Sequence, residues 1–340
     1  MNGPPDTPPT EGDSVDRALA ALGPNLPVAL GRVRRHRRLA GGASGSAVHL
    51  LSLDGGREVV LKVTGGGDRA RRELGFYREV ADRLPVRTPR LLAGAETPDG
   101  RTVLLLTHAR PAPPPDRWSA RDWDDAAAQL GALHRPEVLE SAAGGGRLTR
   151  GDVGGAAAAA HGVRAAWRRL GRERLAEPLL DQAAEFDAAL SRLPACLCHG
   201  DWHADNLLRD ADGEFVWIDW QEVGLGHGPG DLALLWQRAE FDGAEPPREA
   251  MLAAYARARG IPLDATLRSA TVAAELRMVL YGWPDHLGGV DVSRRDIVLG
   301  RLTRLAEEWE TLAPVTATPA RPRRGGGAGV PPESPSGAGR

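Results

Sequence analysis

The sequence predicts an α+β chain of two lobes, a small N-terminal β-sheet lobe followed by a larger, mainly helical C-terminal lobe that carries a polar hairpin. Three observations lead there. From about residue 34 to 107 the pattern is strand-like, with glycine turns between the runs; after a proline-rich break at 111–115 helical spacing takes over; and a polar stretch, 199–219, interrupts the helical part. At 340 residues the chain exceeds the usual size of one domain and can build two cores.

Residues 1–14 and 313–340 are rich in Pro, Gly and Ser and poor in large apolar groups, so they read as disordered tails. Between them lie two lobes, 15–110 and 111–312, with a hinge near 108–112 and a site in the cleft between them. In the first lobe, 34–40 is a strand that enters a glycine-rich turn, Gly41-Gly42-Ala43-Ser44-Gly45. A second strand, 46–53, passes through the hairpin turn Asp54-Gly55-Gly56 into a third, 57–64, which carries Lys62. Helical spacing over 68–84 (Leu74, Tyr77, Val80, Ala81, Leu84) predicts a helix with Asp68 as its N-cap. Strands at 90–95 and 101–107 flank the turn Pro98-Asp99-Gly100.

In the second lobe, Trp123, Ala127, Leu130 and Leu133 form one stripe of a helix over 118–134, capped by Ser119. The Gly- and Ala-rich stretch 142–160 is a loop or a marginal helix, and further helices are expected over 175–193, 231–241, 247–260, 264–282 and 293–312. The polar stretch supplies two short strands, near Leu207 and at 215–218, joined by the turn Asp210-Ala211-Asp212-Gly213.

Composition excludes several classes of function. A net charge of −2 argues against a nucleic-acid surface, and the cluster Arg34 to Arg38 reads as a solvated strand face. Cys196 and Cys198 are too few for a disulfide framework or a four-ligand zinc site, and read as reduced strand residues. The N-terminus lacks the regions of a signal peptide, and no run approaches the ~18 apolar residues of a membrane span. The expectation is a soluble, cytoplasmic protein with neither nucleic acid nor membrane as partner. Of the 43 Lys+Arg residues, all but Lys62 are arginine, so a lone lysine marks a place that needs a compact ammonium.

The stretch 199–219 holds His199, Asp201, His203, Asp205, Asn206 and Asp219 beside apolar runs. Buried acceptor groups are costly unless paired, metal-bound or in use, which points to a metal-assisted active site. Asn206 follows Asp201 by five residues and Asp219 follows Asn206 by thirteen. A loop followed by a returning hairpin can place one amide oxygen and one carboxylate on Mg²⁺ and leave Asp201 to accept a proton. Phosphoryl transfer needs these parts, because its catalysis is mainly positioning and charge neutralisation.

At these residues the sequence resembles the aminoglycoside phosphotransferases and their choline kinase-like relatives, small-molecule kinases with a protein-kinase-like fold. The likeness rests on His199-Gly200-Asp201 with Asn206, on Ile218-Asp219-Trp220, and on Pro229-Gly230-Asp231-Leu232-Ala233. It implies Asp201 as catalytic base, Asn206 and Asp219 as Mg²⁺ ligands, and Asp231 as a structural acid that ties down the catalytic loop; from the residues alone Asp231 is equally a helix N-cap. Glu73 follows Lys62 by eleven residues, the order in which kinases place a phosphate-binding lysine and its paired glutamate. Gly41, Gly42, Gly45 and Ser46 would cover the phosphates of ATP or GTP with backbone N–H groups, although they do not spell G-x-G-x-x-G. The acceptor is a hydroxyl of a small molecule, with an aminoglycoside-type antibiotic leading.

Two other functions compete. A metal-dependent hydrolase would use His199, Asp201, His203 and Asp205, with His227 as a further ligand, but leaves Lys62 and Asn206 unexplained. A kinase-like binding protein without turnover would keep every polar residue. A P-loop nucleotidase is excluded, because Lys62 follows Leu61 and no G-K-[ST] exists. For acceptor recognition the candidates are the acids Glu240, Asp242, Glu275 and Asp285 and the aromatic rings of Trp202, Trp220, Trp236 and Trp283, each with the competing reading of a solvated or core residue. His199 reads as a packed, hydrogen-bonded histidine.

Overall fold

A computed structural model describes residues 11–27, 30–39, 45–143 and 156–312. The first lobe is a five-stranded antiparallel sheet of β1 (Val33–Arg38), β2 (Ala47–Leu53), β3 (Glu58–Thr64), β4 (Leu91–Glu96) and β5 (Thr102–Thr107), in the order β1-β2-β3-β5-β4. Side chains alternate between its faces. On one face Leu51, Leu61, Val103 and Leu105 pack with Val15, Ala18 and Leu22 of helix α1 (Glu11–Leu22). On the other, Leu104 and Leu106 share a cluster with Leu74 and Tyr77 of α2 (Asp68–Glu79) and with the core of the second lobe. Helix α1 starts inside the stretch expected as a tail, because its buried stripe closes the outer face of the sheet. The arginines of β1 lie exposed on the outermost strand, where charge discourages pairing with another sheet. Asp68 is not the N-cap of α2; Gly67 holds that position and the Asp68 carboxylate takes Arg71 at 2.7 Å.

Between the lobes the chain does not simply bend. β6 (Arg110–Pro111) pairs with β8 (Leu207–Arg209), which pairs with β9 (Phe215–Trp217) to complete a three-stranded sheet. The backbone N–H of Trp217 also donates to the Arg87 carbonyl at 2.9 Å, so the polar hairpin is stitched to the first lobe at two points.

The second lobe is built from α3 (Ala120–Leu133), α4 (Pro136–Ala143), α5 (Ala156–Arg169), α6 (Glu173–Leu180), α7 (Ala183–Leu190), α8 (Pro229–Phe241), α9 (Arg248–Arg259), α10 (Ala265–Gly282), α11 (Pro284–Leu287) and α12 (Val292–Leu312). Ser119 caps α3 as expected, and the Asp122 carboxylate accepts back from the Ser119 N–H in a capping box. Gly131 lets α3 lie close on α9: a Cβ there would fall 2.4 Å from the Tyr255 carbonyl oxygen. Most of α10 is buried, so its apolar residues are spread around the helix rather than gathered in one stripe. The expected helix 175–193 is split at Asp181 and Gln182, where the Gln182 amide oxygen accepts from Trp309 at 2.8 Å. The stretch 142–160 is helical at both of its described ends, through α4 and the alanine-rich start of α5. Among the described residues no helix is long and apolar enough to cross a membrane.

Candidate active site

The polar stretch is positioned by β7 (Cys196–Cys198), β8, β9 and β10 (Gly224–Gly226), with β7 and β10 paired antiparallel. Cys196 and Cys198 are free thiols on β7, their sulfurs 3.7 Å apart. Beyond β7 the chain turns sharply at Gly200, φ +82°, where a Cβ would meet the Glu222 carbonyl oxygen at 2.4 Å. Only glycine fits there, which accounts for the glycine of His199-Gly200-Asp201.

Asp231 anchors this turn. Its carboxylate accepts from the backbone N–H of His199 at 2.8 Å and of Gly200 at 2.9 Å. It is not the N-cap of α8, since Gly228 occupies that place. Burial pushes its pKa up, but hydrogen bonds from His134 and the Gly200 N–H outweigh this and hold it below the ordinary aspartate value. Behind Asp231 runs a chain that sequence reading missed. Arg259 Nη1 donates to the Tyr255 hydroxyl at 2.8 Å, Tyr255 donates to His134 Nδ1 at 2.9 Å, and His134 Nε2–H donates to Asp231 at 3.1 Å. All four side chains are buried and come from α8, α9 and the residue that caps the end of α3, so no local spacing in the sequence announces them.

Asp201 is partly open, with 42 % of its side chain exposed. Asn206 Nδ2 donates to the Asp201 carbonyl at 2.8 Å and to its carboxylate at 3.3 Å, and His203 Nε2 lies 3.6 Å from the other carboxylate oxygen. Burial pushes the Asp201 pKa up, but His203, His199 and Asn206 outweigh it and keep the group below the ordinary aspartate value. The hairpin register brings the second half of the stretch alongside, for Leu207 pairs with Trp217 and the Ile218 N–H donates to the Asn206 carbonyl at 3.0 Å.

Lys62 joins the site from the other lobe. Its ammonium is 2.8 Å from Glu73 Oε1 and 2.9 Å from Asp219 Oδ1. Burial alone would lower the Lys62 pKa; the two carboxylates reverse this and hold it above the ordinary lysine value. Glu73 is almost wholly buried, and burial raises its pKa against the opposing pull of Lys62. Asp219 has φ +65°, ψ +59°, and is the sole non-glycine with positive φ among the described residues. Such backbone costs about 1–3 kcal/mol and persists only where its surroundings hold it. Here Lys62 and Gln221 grip the carboxylate, and Trp220 stacks on Phe76 of α2 with ring centres 4.2 Å apart.

Two oxygens are left over. Asp219 Oδ2 and the Asn206 side-chain oxygen take no hydrogen bond from the described residues, whereas their partner atoms, Asp219 Oδ1 and Asn206 Nδ2, are fully engaged. A carboxylate and an amide oxygen of this kind fit a hard divalent cation. His199 is no ligand: its Nδ1 accepts from the Asp201 N–H at 3.2 Å and its Nε2–H donates to the Ile218 carbonyl at 3.0 Å. His227 Nδ1 faces the Leu193 carbonyl at 3.0 Å. Of the histidine-rich set of a hydrolase, His203 lies 3.6 Å from both Asp201 and Asp205, while both ring nitrogens of His199 are engaged elsewhere.

Of the phosphate-covering turn, Gly41 and Gly42 lie outside the described residues. Gly45 is left-handed, and the buried Ser46 places its hydroxyl 3.1 Å from that of Thr64. Several acceptor candidates are corrected. Glu275 is buried and bound by Arg301 through two nitrogens, at 2.9 and 3.2 Å, and by Arg248 at 2.5 Å; Glu240 accepts from Arg248 at 3.0 Å. Asp285 meets Arg169 at 3.4 Å, whereas Asp242 is exposed. Trp202, Trp220, Trp236 and Trp283 are all core, because indole rings of this size bury most apolar area in the packed interior.

The model of the phosphotransferase enzyme family matches residues 35–269. No curated protein sequence matches the chain. Solved structures share its fold. A mutant aminoglycoside 2'-phosphotransferase-IIIa in its GDP complex superposes with a TM-score of 0.63 at 16 % identity, covering 87 % of this chain and 99 % of that one. A choline/ethanolamine kinase family protein from Mesorhizobium loti gives 0.62 at 20 % identity, covering 89 % and 98 %. Amicoumacin kinase hAmiN in complex with AMP-PNP, Ca²⁺ and Ami gives 0.57 at 13 % identity, covering 91 % and 96 %.

Proposed function

The chain belongs to the phosphotransferase enzyme family, and we propose that it moves the γ-phosphate of ATP, or of GTP, to a hydroxyl of a small molecule with Mg²⁺ as its metal. One observation carries the reading: Lys62, on the sheet, meets both Glu73 and the hairpin's Asp219, 157 positions away, within 2.9 Å. In this reading residues 15–110 are the nucleotide-binding lobe and 111–312 the catalytic and acceptor-binding lobe, and the reaction runs in the cytoplasm.

Lys62, oriented by Glu73, binds the nucleotide phosphates as a fixed cation. Backbone N–H groups of Gly45 and Ser46 cover them. Asn206 and Asp219 hold Mg²⁺ through the two oxygens that the described residues leave open, and the ion, when bound, neutralises phosphate charge. Asp201 remains a carboxylate at neutral pH, and takes the acceptor's hydroxyl proton as the hydroxyl oxygen bonds to the γ-phosphorus and the bond to the nucleoside diphosphate breaks in line with it. Asn206 and His203 aim that carboxylate, and Asp231 holds the loop that presents it.

An aminoglycoside-type antibiotic is the leading acceptor, supported by the fold shared with an aminoglycoside 2'-phosphotransferase and with amicoumacin kinase. Recognition of a polycation would rest on acids other than Glu240 and Glu275, which arginines already neutralise. The test is the purified full chain with ATP and Mg²⁺ against aminoglycosides, amino alcohols, sugars and neutral antibiotics, read by mass as a gain of one phosphate. Phosphorylation of any of them supports transfer. Nucleotide binding without consumption across the whole panel would support a kinase-like binding protein instead.

A further inference from the structure

We infer that Cys196, Cys198 and His134 form a binding site for Zn²⁺ at the root of the loop that carries Asp201, separate from the metal of the proposed reaction. The three residues come from β7 and from the end of α3, and their ligand atoms all lie within 4.8 Å of one another. Phosphoryl transfer uses neither thiol, so the site stands whether or not that function does.

Residues two apart on a strand point to the same side, and the two sulfurs are 3.7 Å apart. A tetrahedral Zn²⁺ with thiolates at about 2.3 Å requires a sulfur–sulfur edge of about 3.8 Å, and with an imidazole at about 2.0 Å a nitrogen–sulfur edge of about 3.6 Å. The thiols thus already have the spacing of a bound pair, and the imidazole has only a short way to move. The neighbouring chain is shaped around these atoms. β10 pairs with β7 so that Gly226 lies opposite Cys196, and a Cβ at Gly226 would fall 2.6 Å from Cys198 Sγ. A Cβ at Gly228 would fall 2.8 Å from His134 Nδ1. The chain can pass this close to both residues because each of these positions is glycine.

Charge and donor type select the ion. His134 and Cys196 are fully buried and Cys198 partly so, where a bare cation would be costly. Zn²⁺ with two thiolates carries no net charge, and the thiol protons pass to solvent on binding. Thiolate and imidazole favour Zn²⁺, whereas Mg²⁺ favours carboxylate, carbonyl and water oxygens. Three protein ligands leave the fourth position to water. The two ring nitrogens of His134 meet the Tyr255 hydroxyl at 2.9 Å and Asp231 at 3.1 Å. Metal on one nitrogen exchanges that hydrogen bond for a coordinate bond, and the other bond keeps the ring oriented. Bound there, the ion ties β7 to the end of α3, beside the carboxylate that anchors the backbone of His199 and Gly200.

The test uses the full chain without an affinity tag, reduced and stripped of metal, titrated with Co²⁺ as a coloured substitute for Zn²⁺. The first equivalent should raise thiolate-to-cobalt charge-transfer absorption together with the intense visible bands of tetrahedral cobalt. Zn²⁺ should bleach both, and excess Mg²⁺ should bleach neither. Cys196→Ser and Cys198→Ser should each weaken binding by more than the ~10–100-fold that losing an outer partner of a metal site costs. Bands that are absent, or that persist unchanged in both variants, would overturn the proposal. Asp219→Ala should leave the bands in place; their loss there would put the cobalt in the catalytic site and overturn it as well. Should the cysteine variants not fold, X-ray absorption of the Zn²⁺-loaded wild-type chain decides. Sulfur neighbours at about 2.3 Å support the site, and a shell of nitrogen and oxygen alone refutes it.

Discussion

The ammonium of Lys62 lies 2.9 Å from the carboxylate of Asp219, although 157 positions separate them in the chain. This contact joins the two lobes at their most polar point, and Glu73 completes it from α2. The position of the Lys62 ammonium is therefore set by residues of both lobes.

Replacing Lys62 by arginine should fail almost as completely as replacing it by alanine. Lys62 is only 8 % exposed and donates to two carboxylates from one atom, and a planar guanidinium cannot converge in that way. Loss of a preorganised charge at transferring phosphate is worth about 10²–10³ in kcat. Steady-state rates with any accepted hydroxyl compound provide the check, and Lys62→Arg retaining activity within about tenfold of wild type would refute it.

Asp201→Asn keeps the size of the side chain and the hydrogen bond at the Asp201 carbonyl but removes the base. The expected loss in kcat is about 10²–10⁴-fold, with the nucleotide dissociation constant unchanged, since Asp201 contacts Asn206 and His203 rather than Lys62. Rapid-quench turnover alongside equilibrium nucleotide binding separates the two effects. Retained turnover would remove Asp201 from the mechanism.

Asp231→Ala should lower stability by about 3 kcal/mol or more near neutral pH, because the N–H groups of His199, Gly200 and His134 lose their buried acceptor and each such loss costs about 1–3 kcal/mol. The folded-state pKa of Asp231 lies below its unfolded value of 3.8. Its stabilisation is therefore complete above that value and disappears as pH falls through the folded pKa. Denaturant unfolding of both proteins over an acid series should show a gap that is constant down to about pH 4 and then narrows. A gap that widens on acidification would contradict the assigned charge state.

Glu275→Gln should cost stability without touching catalysis. The carboxylate is bound by Arg301 and Arg248 and is 2 % exposed, so its loss leaves two guanidiniums short of charge, at about 3–5 kcal/mol. Thermal unfolding together with acceptor KM decides the matter. A raised KM with unchanged stability would return Glu275 to the acceptor site.

Much of the site was legible in the chain because its chemistry is local. Asp201, Asn206 and the returning Asp219 share one loop and hairpin, and their spacing survives folding; Lys62 stood out as the single lysine, with Glu73 eleven residues on. Gln221 carried no comparable signal. Its side chain reaches Asp219 only because the backbone of Asp219 is left-handed and because Arg72, 149 positions earlier, holds the Gln221 carbonyl. The Arg259–Tyr255–His134 chain was hidden for the same reason. Glu240 and Glu275 were open to misreading because formal charge does not reveal which acids arginines already hold; Arg248 is 8 residues from the first and 27 from the second.

The sequence by itself determined the two-lobed α+β architecture, the hairpin and the set of polar residues in it, because residue period, glycine turns and caps act over one or two turns of chain. Tertiary structure alone decided which charges are paired off and which oxygen of Asp219 stays open. Those outcomes depend on the direction of side chains meeting across the lobes, and direction is set by packing between segments that no local pattern relates.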